Sequence, residues 1–237
     1  MGPHERHRPS APLVVVIDGP AGAGKTTVAR AVARALGLPL LDTGAIYRTL
    51  ALVAQRRAIA WDDEPGLAAL AVAFPIALGE LPADGGPQAV RYAGEDVTAA
   101  IRTPAMSQGA SKVSALPAVR AALLGIQRAL GDRGCVAEGR DMGTVVFPDA
   151  PHKFFLTADL PTRALRRHAE LAANPGAAVP SLDEVQREVA ERDARDSSRA
   201  AAPLRQADDA VLVDSSGVGI DAVVERVLEH IRAATGA

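Results

Sequence analysis

Short β-branched runs alternate with longer stretches of helical periodicity along most of the chain. Leu13 to Ile17 is the first such run and predicts a buried parallel strand. After a Gly-rich turn, Lys25 to Leu36 reads as a helix, with Val28, Val32, Ala35 and Leu36 on one face and Gly37 as a stop. Pro39 to Asp42 predicts a second strand, and Thr43 opens a helix that runs to about Arg57. From Trp61 to Ile101 helical periodicity weakens and Gly and Pro become frequent. Val90 to Val97 reads as a strand and turn, so this stretch is expected to be a small insertion with some β structure. Regular alternation then resumes. Thr103-Pro104 caps and starts a helix, and Pro117 starts another that ends near Leu130. Cys135–Ala137 and His152–Leu156 are strands, and Pro161 to about Ala173 is a helix. Asn174 to Pro180 is a loop, and Ser181 to Glu184 is a capping box opening a long charged helix. Ala210–Val213 is the last strand, and a helix from Ile220 to about Ala234 closes the chain. The pattern predicts an α/β fold whose parallel sheet is covered on both faces.

Composition narrows this picture. Of the 237 residues 48% are hydrophobic but only 3% aromatic, so the core must be built of Ala, Val and Leu. A net charge of -2 argues against a general nucleic-acid binder. The single cysteine, Cys135, lies in an apolar run and has no partner for an internal disulfide; it reads as a buried strand residue in a reducing compartment. Residues 1–12 are polar and Pro-rich and are expected to form a disordered leader, not a signal peptide. No run is long enough to cross a membrane, which makes the cytoplasm the expected location. His152, Trp61 and Met142 read as strand-edge, insertion-core and packing residues.

The first chemical signal is Gly19-Pro20-Ala21-Gly22-Ala23-Gly24-Lys25-Thr26, followed by Thr27. It matches G-x-x-x-x-G-K-[ST], with the strand before it and the helix after it that this motif requires. Glycines let backbone N–H groups converge on phosphate oxygens, and the helix N-terminus adds its positive dipole end. Lys25 is expected to reach the β- and γ-phosphates, and the Thr26 hydroxyl to ligate Mg²⁺. A strand ending in an Asp that would complete such a site is not evident: the strand at Cys135 runs into Glu138-Gly-Arg-Asp141.

The second signal is arginine. From Glu191 to Arg199 the chain alternates Arg and Asp. On a helix Arg192 stands four residues from Asp196, and Arg195 four from Arg199; Arg163 and Arg167 repeat that spacing on the preceding helix. Spacing alone leaves two readings open, a solvated salt-bridged face or a clamp for an anion held between like charges.

Six spaced segments then resemble bacterial cytidylate kinases. They are Leu40–Arg48 (LLDTGAIYR), Gly94–Thr98 with Ile101–Thr103, Ala110–Ala115 with Pro117–Arg120, Ala137–Asp149 (AEGRDMGTVVFPD), Arg192–Asp196, and Ala202–Leu204. They span nearly all of the chain after Leu13. The resemblance implies a P-loop NTPase three-layer sandwich of the nucleoside-monophosphate-kinase type. It would have a core (13–60, 103–160 and 201–237), an inserted monophosphate-binding region (61–102) and a lid with flanking helices (161–200). It implies a monomer that uses ATP with Mg²⁺ and CMP or dCMP and binds neither nucleic acid nor membrane. Arg48, Arg140 and Arg199 would hold the CMP phosphate, and Arg192 and Asp196 the sugar. Ser111, Arg120 and Asp141 would read the cytosine, while Arg163 and Arg167 would face ATP. Thr43 would touch the acceptor or only cap its helix. Asp141 would accept from the N4 amino group of cytosine, or serve as a structural partner of Arg140 or a helix cap. Lys25 with Arg140, Arg192, Arg195 and Arg199 would carry an in-line transfer by charge neutralisation, needing no general base because the acceptor is already a phosphate dianion. The Asn174–Pro180 loop would move with the lid. Pro203-Leu204 and Ser215–Gly217 would lie near the adenine. A kinase for another small acceptor, such as UMP or shikimate, and a nucleotide-binding switch are the competing readings.

Overall fold

The computed structural model describes residues 12–173 and 179–235. In chain order the elements are β1 (Val14–Asp18), α1 (Lys25–Leu36), β2 (Leu40–Asp42), α2 (Thr43–Arg56), α3 (Glu64–Ala71), β3 (Ile76–Leu78), β4 (Val90–Tyr92) and β5 (Glu95–Asp96). A 3₁₀ turn at Ala100–Arg102 precedes α4 (Pro104–Val113), α5 (Pro117–Leu130) and β6 (Cys135–Gly139). A π-helical turn at Met142–Val146 leads to β7 (His152–Thr157), α6 (Leu160–Ala172), α7 (Leu182–Ser198), β8 (Val211–Asp214) and α8 (Ile220–Thr235). The expected leader falls almost wholly outside the described residues, as does most of the expected Asn174–Pro180 loop.

Five parallel strands form one sheet in the order β2-β6-β1-β7-β8. Side-chain alternation divides its apolar residues between two cores. Val16, Leu41, Cys135 and Ala137 face α2, α4 and α5, where Ile46, Leu50, Val53, Val113 and Leu123 are fully or nearly buried. Val15, Ile17, Val136, Phe154 and Leu156 face α1 and α8, meeting Val28, Val32, Val223, Val227 and Ile231. Each such side chain contributes roughly 1.5–3 kcal/mol of burial free energy, so two continuous layers, mostly aliphatic with a few aromatics such as Phe154, hold the sheet. This is the three-layer α/β sandwich with a parallel sheet that the pattern predicts.

Helix limits follow local chemistry. Thr103 accepts from the Met106 N–H and Pro104 occupies the first turn of α4. Ser181 and Glu184 form the reciprocal capping box of α7. One expectation is corrected: α2 is capped by Asp42, whose Oδ1 accepts from the Ala45 N–H at 2.8 Å. Thr43 instead turns its hydroxyl to the Glu138 carbonyl, 2.7 Å away. His152 is buried at the first position of β7, which lies between β1 and β8.

The insertion is more ordered than its sequence suggests. It holds α3 and an antiparallel sheet β3-β4-β5, turned at Ala93-Gly94. Val90, Val97, Ile101 and Met106 pack against Ala51 and Leu52 of α2. Gln88 fastens this sheet to the core by donating to the carbonyls of Leu40 and Gly79. α2 and α4 approach closely because Gly109 carries no side chain; a Cβ there would lie 2.8 Å from Ala51 Cβ of α2. Among the described residues no single helix is long and apolar enough to cross a membrane.

Candidate active site

The site lies beyond the carboxyl ends of β1, β2 and β6, where ligands of open parallel sheets bind. β1 runs into the Gly19–Gly24 loop, which enters α1 at Lys25. Gly22 and Gly24 have φ of +75° and +89°, so the loop takes a path that L side chains resist. Lys25 is buried, and its Nζ donates to the Pro20 carbonyl at 2.6 Å. Burial lowers its pKa well below the ordinary lysine value, and the Arg140 guanidinium lowers it further, against the opposing pull of Glu138 and Asp18. Thr26 donates to Glu138 Oε2 at 3.0 Å, and Thr27 is exposed beside it.

Residues of α6 and α7 close over this loop. Arg163 of α6 is buried and donates to the carbonyls of Ala158 (2.9 Å) and Ala21 (3.0 Å) and to Asp193 of α7. Asp193 Oδ1 in turn accepts from the Ala21 N–H at 3.2 Å. Arg167 points elsewhere, pairing with Glu170 on its own helix at 2.8 Å. The guanidinium beside the donor loop is instead Arg166, which donates to the Ser215 hydroxyl (2.9 Å) and carbonyl (2.7 Å). Ser215 thus stands near the donor loop, whereas Leu204 donates its N–H to Asp196 O and belongs to the end of α7.

The second half of the site gathers around the end of β6. Arg140 Nε pairs with Asp196 at 2.9 Å, and Arg192 approaches the same carboxylate at 4.0 Å. Burial raises the Asp196 pKa, but Arg140 and Arg192 outweigh it and hold the carboxyl below its ordinary value. Burial and the neighbouring Arg140 lower Arg192 to about 10. Arg48, one and a half turns into α2, pairs with Asp42 at 2.8 Å. Nearby, Arg120 of α5 pairs with Asp141 in a buried contact and donates to Ser114 O at 3.1 Å. Its guanidinium lies 5.6 Å over the Tyr47 ring, whose hydroxyl accepts from Gln127. Arg199 approaches Asp141 at 3.7 Å, and Arg195 donates to the Ser111 hydroxyl at 2.6 Å.

The structure therefore brings Lys25, Thr26, Thr43, Arg48, Ser111, Arg120, Arg140, Asp141, Arg192, Arg195, Asp196 and Arg199 to one cleft. Arg163 joins them by holding the donor loop through Ala21 O and Asp193, while Arg167 pairs with Glu170 and its charge still reaches Arg192. Arg195 and Arg199 do not share a helical face: Arg199 lies past the end of α7 with extended backbone, and each has its own acidic or hydroxyl partner. Buried Nε atoms of Arg48, Arg120 and Arg192, and Nη2 of Arg199, have no hydrogen-bond partner, leaving donors for an anion.

Sequence reasoning missed Glu138, Asp193, Asp42 and Arg166. Glu138 had a readable signal, an acid at the end of the strand that pairs with β1; strand order supplies what sequence order hides. Buried Glu138 Oε1 has no partner, and burial raises its pKa, with the Asp42 charge next in effect. Among the described residues there is no group of three His, Cys, Asp or Glu able to hold a metal alone.

Comparison with known proteins adds the last observation. Residues 15–233 match the family described as Cytidylate kinase. A cytidylate kinase of Chromobacterium violaceum is 50% identical over 217 residues, 91% of this chain and 94% of that protein. One from Shewanella denitrificans is 48% identical over 93% of this chain and 96% of its own length. One from Pseudomonas aeruginosa is 51% identical, covering 92% and 94%.

Proposed function

The chain belongs to the cytidylate kinase family, and from that premise we propose that it transfers the γ-phosphoryl group of ATP to CMP or dCMP. The observation that carries the reading is the buried Arg120–Asp141 pair, with Arg199 approaching the same carboxylate and Ser111 held by Arg195 one turn earlier. Asp141 is an acceptor and Arg120 a donor. Ser111 already accepts from Arg195, so its own hydroxyl hydrogen is left to donate. Cytosine presents an amino donor next to a ring acceptor and matches this set. Uracil presents the reverse, and mispaired buried polar groups allow rejection by about 10⁴.

Arg48, Arg140 and Arg199 receive the CMP phosphate, and Arg192 with Asp196 the sugar. Lys25 and the Gly19–Thr27 loop cradle the ATP phosphates, backed by Arg163. Magnesium, when bound with ATP, would supply charge neutralisation at the phosphates. The Thr26 hydroxyl and the unpartnered oxygen of Glu138 are hard donors of the type it takes, with the nucleotide supplying the rest. Alignment and charge neutralisation do the remaining work: the acceptor needs no base, and the arginines of α7 spread the charge of the transferring group. Closure of residues 161–200 over both nucleotides excludes competing water. A cytoplasmic monomer using free nucleotides, with insertion 61–102 as the monophosphate-binding region, completes the reading.

A coupled ADP-release assay with CMP, dCMP, UMP, AMP and shikimate tests it. CMP and dCMP should drive ADP release and the other three should not; silence with CMP would end the proposal. Asp141→Ala should lose CMP efficiency far more than ATP affinity, and an unchanged CMP-to-UMP preference would remove Asp141 from base reading.

A further inference from the structure

We propose that Asp18, the last residue of β1, is a positioning residue for the acceptor: it pins the loop carrying Arg140 and Asp141 to the strand that launches the phosphate loop. The inference rests on the reading that those two residues receive CMP. Asp18 is 4% exposed, and its two oxygens accept from the N–H groups of Met142 and Gly143 at 3.0 and 2.8 Å. These are the two residues after Asp141, at the start of the π-helical turn. That turn bonds 5→1 and 6→1, since the N–H groups of Val145 and Val146 both reach Asp141 O. Its first amides therefore need an outside acceptor, and Asp18 supplies both.

Asp18 stands next to Gly19 in the chain and next to Asp141 in space, so one carboxylate ties the donor loop to the acceptor loop. The β1–β6 ladder carries the two loops side by side only as far as the Asp18–Gly139 register, and beyond it the Asp18 carboxylate holds the acceptor loop. A single plane of two oxygens accepting two consecutive N–H groups fixes orientation as well as distance. The Lys153 stem lies under the same turn, as a Cβ on Gly143 would meet its Cδ at 3.1 Å, and Lys153 Nζ pairs with Asp209 at 2.7 Å. Lys153 supplies packing; only Asp18 fills the amides.

Asp18→Asn is nearly isosteric but offers one acceptor oxygen and sets an NH₂ against the second N–H. It should raise the KM for CMP by roughly tenfold or more, the loss of one charge-assisted hydrogen bond. The KM for ATP should not rise: the phosphate loop keeps its own bonds, and losing the Asp18 charge leaves Lys25 one carboxylate fewer to compete with an ATP phosphate. A parallel rise in both constants, or none in either, would overturn the proposal. Asp141→Asn, assayed alongside for CMP against UMP, reports on base reading separately, so failure of one idea does not imitate failure of the other. Asp18→Ser serves if the Asn variant does not fold. Amide exchange on the wild-type enzyme needs no variant: the Met142 and Gly143 amides should exchange as slowly as those of β1 and β6. Exchange at the rate of exposed loops would also overturn it.

Discussion

Gly22→Ala is expected to injure both the fold and the donor site, by an amount the geometry permits working out. At Gly22 φ is +75°, and a Cβ would lie 2.8 Å from the Arg163 carbonyl oxygen and 3.1 Å from Arg163 Cβ. The left-handed backbone costs a non-glycine residue about 1–2 kcal/mol. Relieving the contact costs about 1–3 kcal/mol more, because the obstacle is the first turn of α6 and not a side-chain tip. The sum corresponds to a fall in Tm of about 5–15 °C for a chain of this size. The shift also moves Arg163 away from Ala21 O and Asp193, loosening the loop that cradles ATP. A few tenths of an ångström there should lower kcat/KM for ATP roughly tenfold. Gly37→Ala is the control. Its φ is +63°, but nothing lies within 4 Å of a Cβ, so it pays the backbone cost alone and should keep full activity. Differential scanning calorimetry and the ADP-release assay on both variants decide the matter. Equal losses of Tm and activity in the two would refute the reasoning, because the contact with α6 would then contribute nothing.

Four further outcomes are expected. Lys25→Ala should abolish transfer with far-ultraviolet circular dichroism unchanged; near-normal turnover would disprove the cradle. Glu138→Gln keeps a carbonyl for the Thr26 hydroxyl but loses the charge, and should lower kcat at saturating nucleotides roughly tenfold or more; an unaltered kcat would exclude Glu138 from the chemistry. Burial raises the Asp18 carboxyl from 3.8 to about 6, against the N–H bonds from Gly143 and Met142. The folded state thus holds a proton there that the unfolded chain has released, so this group's contribution to stability falls as pH rises from about 4 to 6, by about 3 kcal/mol in all. Urea titrations at pH 4.5 and 7 should show that fall in the wild type and a flatter profile in Asp18→Asn; identical slopes would count against it. Asp196→Ala frees Arg140 and Arg192, and should lower Tm in plain buffer while making Tm rise more steeply with added inorganic phosphate than in the wild type. Parallel phosphate dependence would show that Asp196 does not hold these arginines.

What could be read from the chain, and what could not, divides along physical lines. α1, α4, α5 and the α7 capping box are set by residues adjacent in sequence, such as Thr103-Pro104 and Ser181–Glu184, and the sequence marks them directly. The phosphate loop is legible for the same reason, since its glycines and Lys25 lie within one turn. Asp42 and Thr43 exchange roles because both can cap, and the choice depends on Glu138 O, which lies on a strand 95 residues away. Periodicity hides α3, whose eight residues include Pro65 and Gly66. The spacing of four on α6 points to Arg163 and Arg167 but not to Arg166, because spacing says nothing of which side chain meets Ser215. Asp193 and Glu138 act through partners in distant segments, Ala21 and Thr26, and so needed the sheet order β2-β6-β1 to be seen.

The cleft is organised as an exchange of anions. Seven of its cations, Lys25, Arg48, Arg120, Arg140, Arg163, Arg192 and Arg199, stand among Asp42, Glu138, Asp141, Asp193 and Asp196, either in ion pairs or within electrostatic reach. So many guanidinium groups without acids between them would cost several kcal/mol of unpaired buried charge and open the fold. With the acids in place the cleft is stable while waiting, and several N–H groups remain unfilled. Under the proposed function, the triphosphate of ATP and the single phosphate of CMP would enter by replacing carboxylate oxygens with phosphate oxygens. Asp193 illustrates the point, since it accepts from the Ala21 amide of the phosphate loop and from Arg163 at once. An arrangement of this kind gives up some affinity for each nucleotide, because a phosphate oxygen that pairs with an arginine must first displace the carboxylate already bound to it. What it retains is alignment: the arginines that the carboxylates hold in register are those that, in the proposed reaction, would draw donor and acceptor phosphates end to end.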